Sequence, residues 1–338
     1  MSYSTGPISN EPVDAVILWV DGSDRKLAEK RELYMSQEKK SVAHPGAIPT
    51  RFASSNEIRY CVLSLLTFAR FIRNIYVVTD DQDPGLQDMI RNRFPDKEDS
   101  VKIVDHRVIF RGYEQYLPTF NSSSIIPMIA RIPGLSERFV FFDDDLILIR
   151  EVMEEDFFVN NKPVLMGTWR LPPCRLIAGR KLKVLINRHI RKNKDYLPKI
   201  SFYIRQWQSA FLLGFRVRYF FHDHTPHPFH KQTIENFFAS NPGLLEKTIS
   251  YRFRDHEQII LSSVAYHLEI LAGNRNFRKT RLGYFHPWYS GERMNRRLRR
   301  CTNDPRIKSI CIQSIEMVST AQREKIFGWL DAILERKS

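Results

Sequence analysis

The sequence predicts an α/β fold built on a mostly parallel sheet with helices on both faces, and three observations carry that prediction. Short, continuously apolar β-rich runs recur through the first 150 residues, a segment of helical periodicity lies between the first two, and three of the runs end in acidic or polar residues. The runs are Val13 to Val20 (VDAVILWV), Asn74 to Thr79 (NIYVVT), Val101 to Val104 (VKIV) and Arg138 to Phe142 (RFVFF). Runs without polar alternation are what strands covered on both faces look like. Between the first two, Ile58, Cys61, Val62, Leu65 and Leu66 recur at helical spacing within Asn56 to Arg70. Strands alternating with helices imply parallel pairing, and ligands of such sheets bind outside the carboxyl ends of the strands.

From about residue 167 the pattern becomes basic, aromatic and rich in Pro and His, which predicts an inserted lobe across the strand ends. The expected organisation is an α/β core over 12–166, a basic insertion with a histidine cluster over 167–235, and the remainder of the core over 236–338, closed by a helix from Thr320 to Arg336. No repeat of 20 to 50 residues is present, which removes solenoids and propellers.

Composition bounds the function. With 43% hydrophobic and 27% charged residues among 338, the chain is globular and not disordered. Cys61, Cys174, Cys301 and Cys311 form no C-x-x-C pair, so a reducing compartment is expected. The N-terminus lacks the basic start and apolar stretch of a signal peptide, and the apolar window 207–221 is broken by Arg216 and Arg218. These features predict a cytoplasmic protein, soluble or peripheral at the inner face of the plasma membrane. The net charge of +14 is concentrated: residues 170–205 hold eleven Lys/Arg against Asp195 alone, and residues 275–300 hold nine against Glu292 alone. Such segments suit polyanions, either phosphates or anionic headgroups, or else they are solvated helix faces. Nucleic acid is not expected, since no binding motif is present and acidic residues gather at the presumed ligand edge.

The chemistry concentrates in four segments. In FVFFDDDLILI, residues 139–149, Asp143, Asp144 and Asp145 interrupt an apolar stretch. Burying them unpaired is costly, so a cation or an exposed turn must account for them. Adjacent carboxylate oxygens suit Mg²⁺ or Mn²⁺. In DAVILWVDGSD, residues 14–24, a strand runs into a turn bearing Asp21, Gly22 and Asp24. Asp side chains accept from ribose or base donors, Gly allows close approach, and Trp19 either stacks or packs in the core. FHDHTPHPFHK, residues 221–231, places His222, His224, His227 and His230 together, more consistent with a general base than with zinc. Finally Tyr251 to Gln258 (YRFRDHEQ) reads as the opening of a helical run and supplies cations for phosphate oxygens.

Together these segments resemble the Stealth family of sugar-1-phosphate transferases, which includes bacterial capsule and exopolysaccharide phosphotransferases and the animal enzyme that begins the mannose-6-phosphate tag. DAVILWVDGSD is similar to the family's opening block. RFASSNEIRYCVLSLLTFARFIRNIYVVTDDQDP, residues 51–84, and LPTFNSSSIIPMIARIPGLSERFVFFDDDLIL, residues 117–148, resemble its long central block. HTPHPFHK at 224–231 and YRFRDHEQ at 251–258 resemble the third, and Lys308 to Ser314 a fainter fourth. Three departures stand out: Asp143 where the family has Asn, Ile126 where it has Glu, and Gln313-Ser314 where it has Asn-Asp.

The resemblance implies a Rossmann-like, GT-A-like fold. It also implies transfer of a sugar-1-phosphate from a UDP-sugar to a glycan hydroxyl, with release of UMP. Under it, His224 is the expected base with His227 in reserve, and Arg252 grips phosphate, with Arg59 as a second candidate cation. Asp144 and Asp145 hold Mg²⁺ or Mn²⁺. Asp14, Trp19, Asp21, Gly22, Asp24, Asp80 and Asp255 are the expected substrate-binding residues, and a glycan or lipid-linked glycan is the expected acceptor. The alternative is a glycosyltransferase that moves only the sugar and releases UDP.

Overall fold

The computed structural model describes residues 11–37, 56–193, 196 and 198–335. Residues 51–55, which open the long central motif, lie outside the described residues. The fold class is the expected one: a mixed α/β structure around a mostly parallel central sheet. Its strands β1 (Val13–Leu18), β2 (Ile72–Thr79), β3 (Val101–Asp105) and β4 (Arg138–Asp143) fall on the four apolar runs. The spatial order is β4-β1-β2-β3, all parallel, with the strand His227–His230 added antiparallel outside β4.

Alternate residues of each strand enter two different cores, which is why the strands carry no polar alternation. Val16, Leu18, Tyr76, Val78, Phe139 and Phe141 face a cluster that includes Met128, Ile234, Phe237 and Val264. Ala15, Ile17, Ile75, Val77, Val140 and Phe142 face the opposite cluster with Ile58, Cys61, Val62 and Leu65. The last four belong to α2 (Glu57–Phe68), the segment of helical periodicity.

After β4 the chain turns at Asp144 and Asp145 into β5 (Leu146–Leu148). This short strand pairs with Ser309–Ile312, which also pairs with Leu282–Phe285, so the C-terminal part of the chain is brought to the end of the main sheet. The terminal helix runs Thr320–Glu335 and buries Ile326, Leu330 and Leu334.

The segment 167–235 is woven into the core. Tyr219–Phe221 pairs with Thr168–Arg170, His227–His230 joins the main sheet, and the helix Phe202–Leu212 buries Ile204, Arg205 and Gln206. The helix Cys174–Leu185 has no buried residue, and its Arg180 Nη2 lies 2.6 Å from His256 Nδ1. Tyr251–Gln258 is a series of bends and not a helical run, the next helix starting at Leu261. The bends are tied down by side chains: Asn121 donates to Tyr251 O at 2.9 Å and to Gln258 Oε1 at 2.9 Å, and Gln258 donates to Ser124 Oγ at 3.0 Å.

Candidate active site

A cavity of about 400 Å³ lies at the carboxyl ends of the parallel strands. Strand β1 contributes Leu18 and the following Trp19 and Val20, β2 contributes Val78 and the following Asp80, and His106 follows β3. Asp143, Asp144 and Asp145 leave β4, and Glu57, which opens α2, joins them in the lining. His224 and Arg254 come from later segments, and Gln313 and Ser314 from the end of the strand Ser309–Ile312.

The acidic turn and the histidine meet directly. Nε2 of His224 is 3.1 Å from Asp145 Oδ1, and its Nδ1 is 3.4 Å from Asp143 Oδ2. Burial disfavours the imidazolium, but the Asp145 and Asp143 carboxylates outweigh it and push His224 up to about 10. On Asp144 burial acts first, and the carboxylates of Asp145, Glu57 and Asp143 add to it, raising it well above the usual carboxylate range. The charged neighbours that act on Asp144 are therefore other acids. Burial likewise raises Asp143, with His224 and Arg254 pulling the other way.

Pairing of β5 with Ser309–Ile312 places Cys311 beside the turn, where its thiol donates to Asp145 Oδ2 at 3.3 Å. Ligand atoms of Asp145, His224 and Cys311 lie within 4.8 Å of one another. Arg254 brings a cation to the cavity wall and donates to Ser122 Oγ at 2.5 Å.

Several expected residues lie elsewhere, each for a visible reason. Asp14 is fully buried at the amino end of β1, away from the cavity; it accepts from Arg73 Nε at 3.0 Å, Arg73 Nη2 at 2.6 Å, Asn74 N at 3.1 Å and Ser136 N at 2.7 Å. Arg252 does not line the cavity, because it donates to the carbonyls of Tyr116 and Pro118 at 3.1 and 2.8 Å. His227 is buried in the edge strand His227–His230, its Nδ1 3.1 Å from Tyr266 Oη, and burial holds its imidazole well below its ordinary value.

Asp24 caps α1 (Arg25–Gln37) by accepting from Leu27 N at 2.8 Å. Asp21 accepts from Ser23 N at 2.9 Å within the turn that contains Gly22, and neither lines the cavity. Asp255 accepts from Glu257 N at 2.9 Å, and Arg59 lies exposed on α2. Trp19, Asp80, Asp144, Asp145 and His224 are the expected residues that the fold brings together; Asp80 also receives Lys30 Nζ at 2.9 Å.

The cavity adds residues that sequence reasoning does not assign to the site: Asp143, Glu57, Asn121, Arg254, Gln313 and Ser314. A signal for the last two exists, because they are the positions where the sequence departs from the family's Asn-Asp.

Residues 11–39 match the model of Stealth protein CR1, conserved region 1, and residues 51–165 that of Stealth protein CR2, conserved region 2. The chain thus carries two conserved regions of Stealth proteins. An exopolysaccharide phosphotransferase of Streptomyces coelicolor is 44% identical over 169 residues, 48% of this chain and 27% of that protein. A second from the same organism is 30% identical over 287 residues, 84% of this chain and 43% of that one. A capsular polysaccharide phosphotransferase of Actinobacillus pleuropneumoniae is 31% identical over 214 residues, 60% of this chain and 56% of that one. The chain thus spans between about a quarter and just over half of the length of these curated relatives. Among solved structures, the bifunctional glycosyltransferase WbbM aligns over 98% of this chain and 53% of its own, at 11% identity and a TM-score of 0.43. Among the described residues, no helix is long and apolar enough to cross a membrane.

Proposed function

We propose that this chain transfers a sugar-1-phosphate from a UDP-sugar, such as UDP-GlcNAc or another UDP-hexose, to a glycan hydroxyl. The product is a phosphodiester, the nucleotide released is UMP, and the setting is capsule or exopolysaccharide synthesis, in keeping with the names of the relatives. The observation that carries this reading is the pairing of His224 with the carboxylates of Asp143 and Asp145 in a cavity that also holds Asp144 and Arg254.

Attack at phosphorus needs a base for the acceptor hydroxyl, a cation for the pyrophosphate and a held nucleotide. The carboxylates of Glu57, Asp143, Asp144 and Asp145 in the cavity wall are oxygen donors of the kind a hard divalent ion takes, although the ligand atoms that lie together on Asp145, His224 and Cys311 include an imidazole and a thiol. Asp144 and Asp145 would hold Mg²⁺ or Mn²⁺, which supplies charge neutralisation on the pyrophosphate when bound. Arg254 grips phosphate oxygens from the Ser122 side. Held between Asp143 and Asp145, the imidazole of His224 keeps its proton at neutral pH; it accepts one from the acceptor hydroxyl only when that carboxylate field is offset. Loading of the acidic turn and activation of the base are therefore coupled.

Separation of the nucleotides formed from a panel of UDP-sugars with Mg²⁺ or Mn²⁺ tests the reading. UMP is expected, whereas UDP identifies a glycosyltransferase.

The acceptor side is assigned to the exposed helix Cys174–Leu185. Leu176, Leu182 and Leu185 stand exposed there among Arg175, Lys181 and Lys183, an apolar and cationic surface suited to anionic headgroups around a lipid-linked acceptor. Leu182→Asp with Leu185→Asp is expected to lower cosedimentation with phosphatidylglycerol vesicles about tenfold; unchanged binding would remove this assignment.

A further inference from the structure

One part of the cavity wall differs in character from the acidic turn. It is formed by Leu18, Val20, Leu27, Val78, Phe120 and the ring of Trp19, most of them around the ends of β1 and β2. The same cavity carries two polar side chains that the reaction described above does not use. His106, 1% exposed, follows β3, and Thr119, 3% exposed, comes from the loop before the cavity's asparagine, Asn121. Nδ1 of His106 and Oγ1 of Thr119 are both buried without a hydrogen-bond partner among the described residues.

Buried polar atoms are nearly always paired, because an unmet group costs free energy that water or another group would otherwise return. Two residues of one cavity wall that carry such atoms, alongside apolar side chains, suit a ligand with an apolar face and a polar edge. We infer that His106 and Thr119 read the polar edge of the donor's nucleobase, with Trp19 and the aliphatic wall packing against it. The inference rests on the sugar-1-phosphate reading for the identity of the base, which is then uracil.

The pairing is chemically balanced. A Thr hydroxyl both donates and accepts, and a neutral imidazole presents Nδ1 in either role according to its tautomer. Uracil offers one N–H donor flanked by two carbonyl acceptors, so one wall atom accepts and the other donates. Burial holds His106 down at about 4, which keeps the ring neutral at working pH and able to serve in either role. A purine presents a larger outline and a different edge to the same pair. Sites that hydrogen-bond a ligand group discriminate sharply against ligands lacking it, because the protein's own groups are then left unmet.

The test is nucleotide binding by the whole chain in the presence of Mg²⁺, read by calorimetry with no acceptor present. Wild-type protein is expected to bind UDP at least tenfold more tightly than ADP. Thr119→Val, which keeps the shape and removes the hydroxyl, is expected to weaken UDP about five- to tenfold while leaving inorganic pyrophosphate unchanged. Because it deletes an unmet buried group, it should also hold or raise the thermal midpoint of the free protein, an outcome that a structural hydrogen bond would reverse. His106→Phe is expected to lower the preference for UDP over ADP below threefold.

Unchanged UDP affinity in both variants overturns the inference and leaves the phosphotransfer reading standing. Equal weakening of UDP and pyrophosphate also overturns it, by placing the effect on the phosphates. Wild-type protein that binds no uridine nucleotide overturns both.

Discussion

The two ends of the central sheet treat carboxylates in opposite ways. At the amino end, Asp14 is wholly buried and its two oxygens take four donors, from Arg73, Asn74 and Ser136. At the carboxyl end, Asp143, Asp144 and Asp145 crowd against Glu57, and the charges that act on Asp144 are all acids. A satisfied carboxylate holds the fold; a crowded one stores repulsion that a cation relieves. Within the histidine cluster the same division recurs over three residues. Burial acts against the charge of both imidazoles, but Asp145 and Asp143 overcome it at His224 while nothing comparable does at His227.

The sharpest way to break this contrast is to neutralise the crowded end. Asp144→Asn and Asp145→Asn are each expected to lower metal-dependent turnover by roughly three orders of magnitude or more, because phosphoryl transfer is accelerated mainly by positioning and by neutralising charge on the phosphates. The fold should survive, and steady-state rates with circular dichroism check both halves; full activity in both variants would detach the cation from this turn. Next, His224→Ala is expected to cost roughly two to four orders of magnitude in kcat with donor affinity largely kept. His227→Gln, in the strand, should cost less than tenfold in kcat and show its effect in the thermal midpoint. Equal losses of kcat would erase the distinction between the two imidazoles.

The first half of the contrast lies outside what local pattern can reach. Asp14 lies near the start of β1 and Asp21 follows its end, and nothing in their immediate neighbours tells that neither lines the cavity. The direction of the strand settles Asp14: it sits at the amino end, and ligands of such sheets bind at the carboxyl ends. The four strands and α2 are legible because continuous apolar runs and 3.6-residue spacing survive in the sequence as local signals. The acidic turn is legible for the same reason, as three charges inside an apolar stretch. Arg252 and Arg254 are not separable, because Tyr251–Gln258 bends where a helix is expected. Which arginine turns inward depends on backbone carbonyls more than 130 positions away. Cys311, Gln313 and Ser314 reach the site only through pairing of their strand with β5, a contact across some 165 residues.

At the satisfied end, Asp14→Ala strips two backbone N–H groups and Arg73 of their acceptor. It is expected to cost about 2–4 kcal/mol of stability. Denaturant unfolding measures the loss, while kcat of the folded fraction should stay within about threefold. A large fall in kcat would mean that Asp14 serves the site after all.

The smallest effect is a pH dependence. His224 has a folded pKa raised to about 10 from an ordinary 6.5, so its contribution to stability is fully present below about 6.5 and is lost as pH rises through about 10. The thermal midpoint of metal-free wild-type protein should therefore fall over that window more than that of His224→Ala. Asp144 is shifted in the same direction, so stability falls through it as well when pH rises. Its raised pKa means that its charge opposes folding at neutral pH, so Asp144→Asn should melt higher than wild type at pH 7 to 8, with the gap closing toward about pH 4. Parallel curves for all three proteins would show that the acidic turn and His224 are electrically independent.

The reaction itself is tested most directly by the fate of the phosphorus nearest the sugar. With a UDP-sugar labelled in that phosphate and a glycan acceptor, attack at phosphorus carries the label into the glycan as a phosphodiester and leaves the released nucleotide, UMP, unlabelled. Label recovered in UDP, with an unlabelled glycan bearing a new glycosidic bond, would contradict the account.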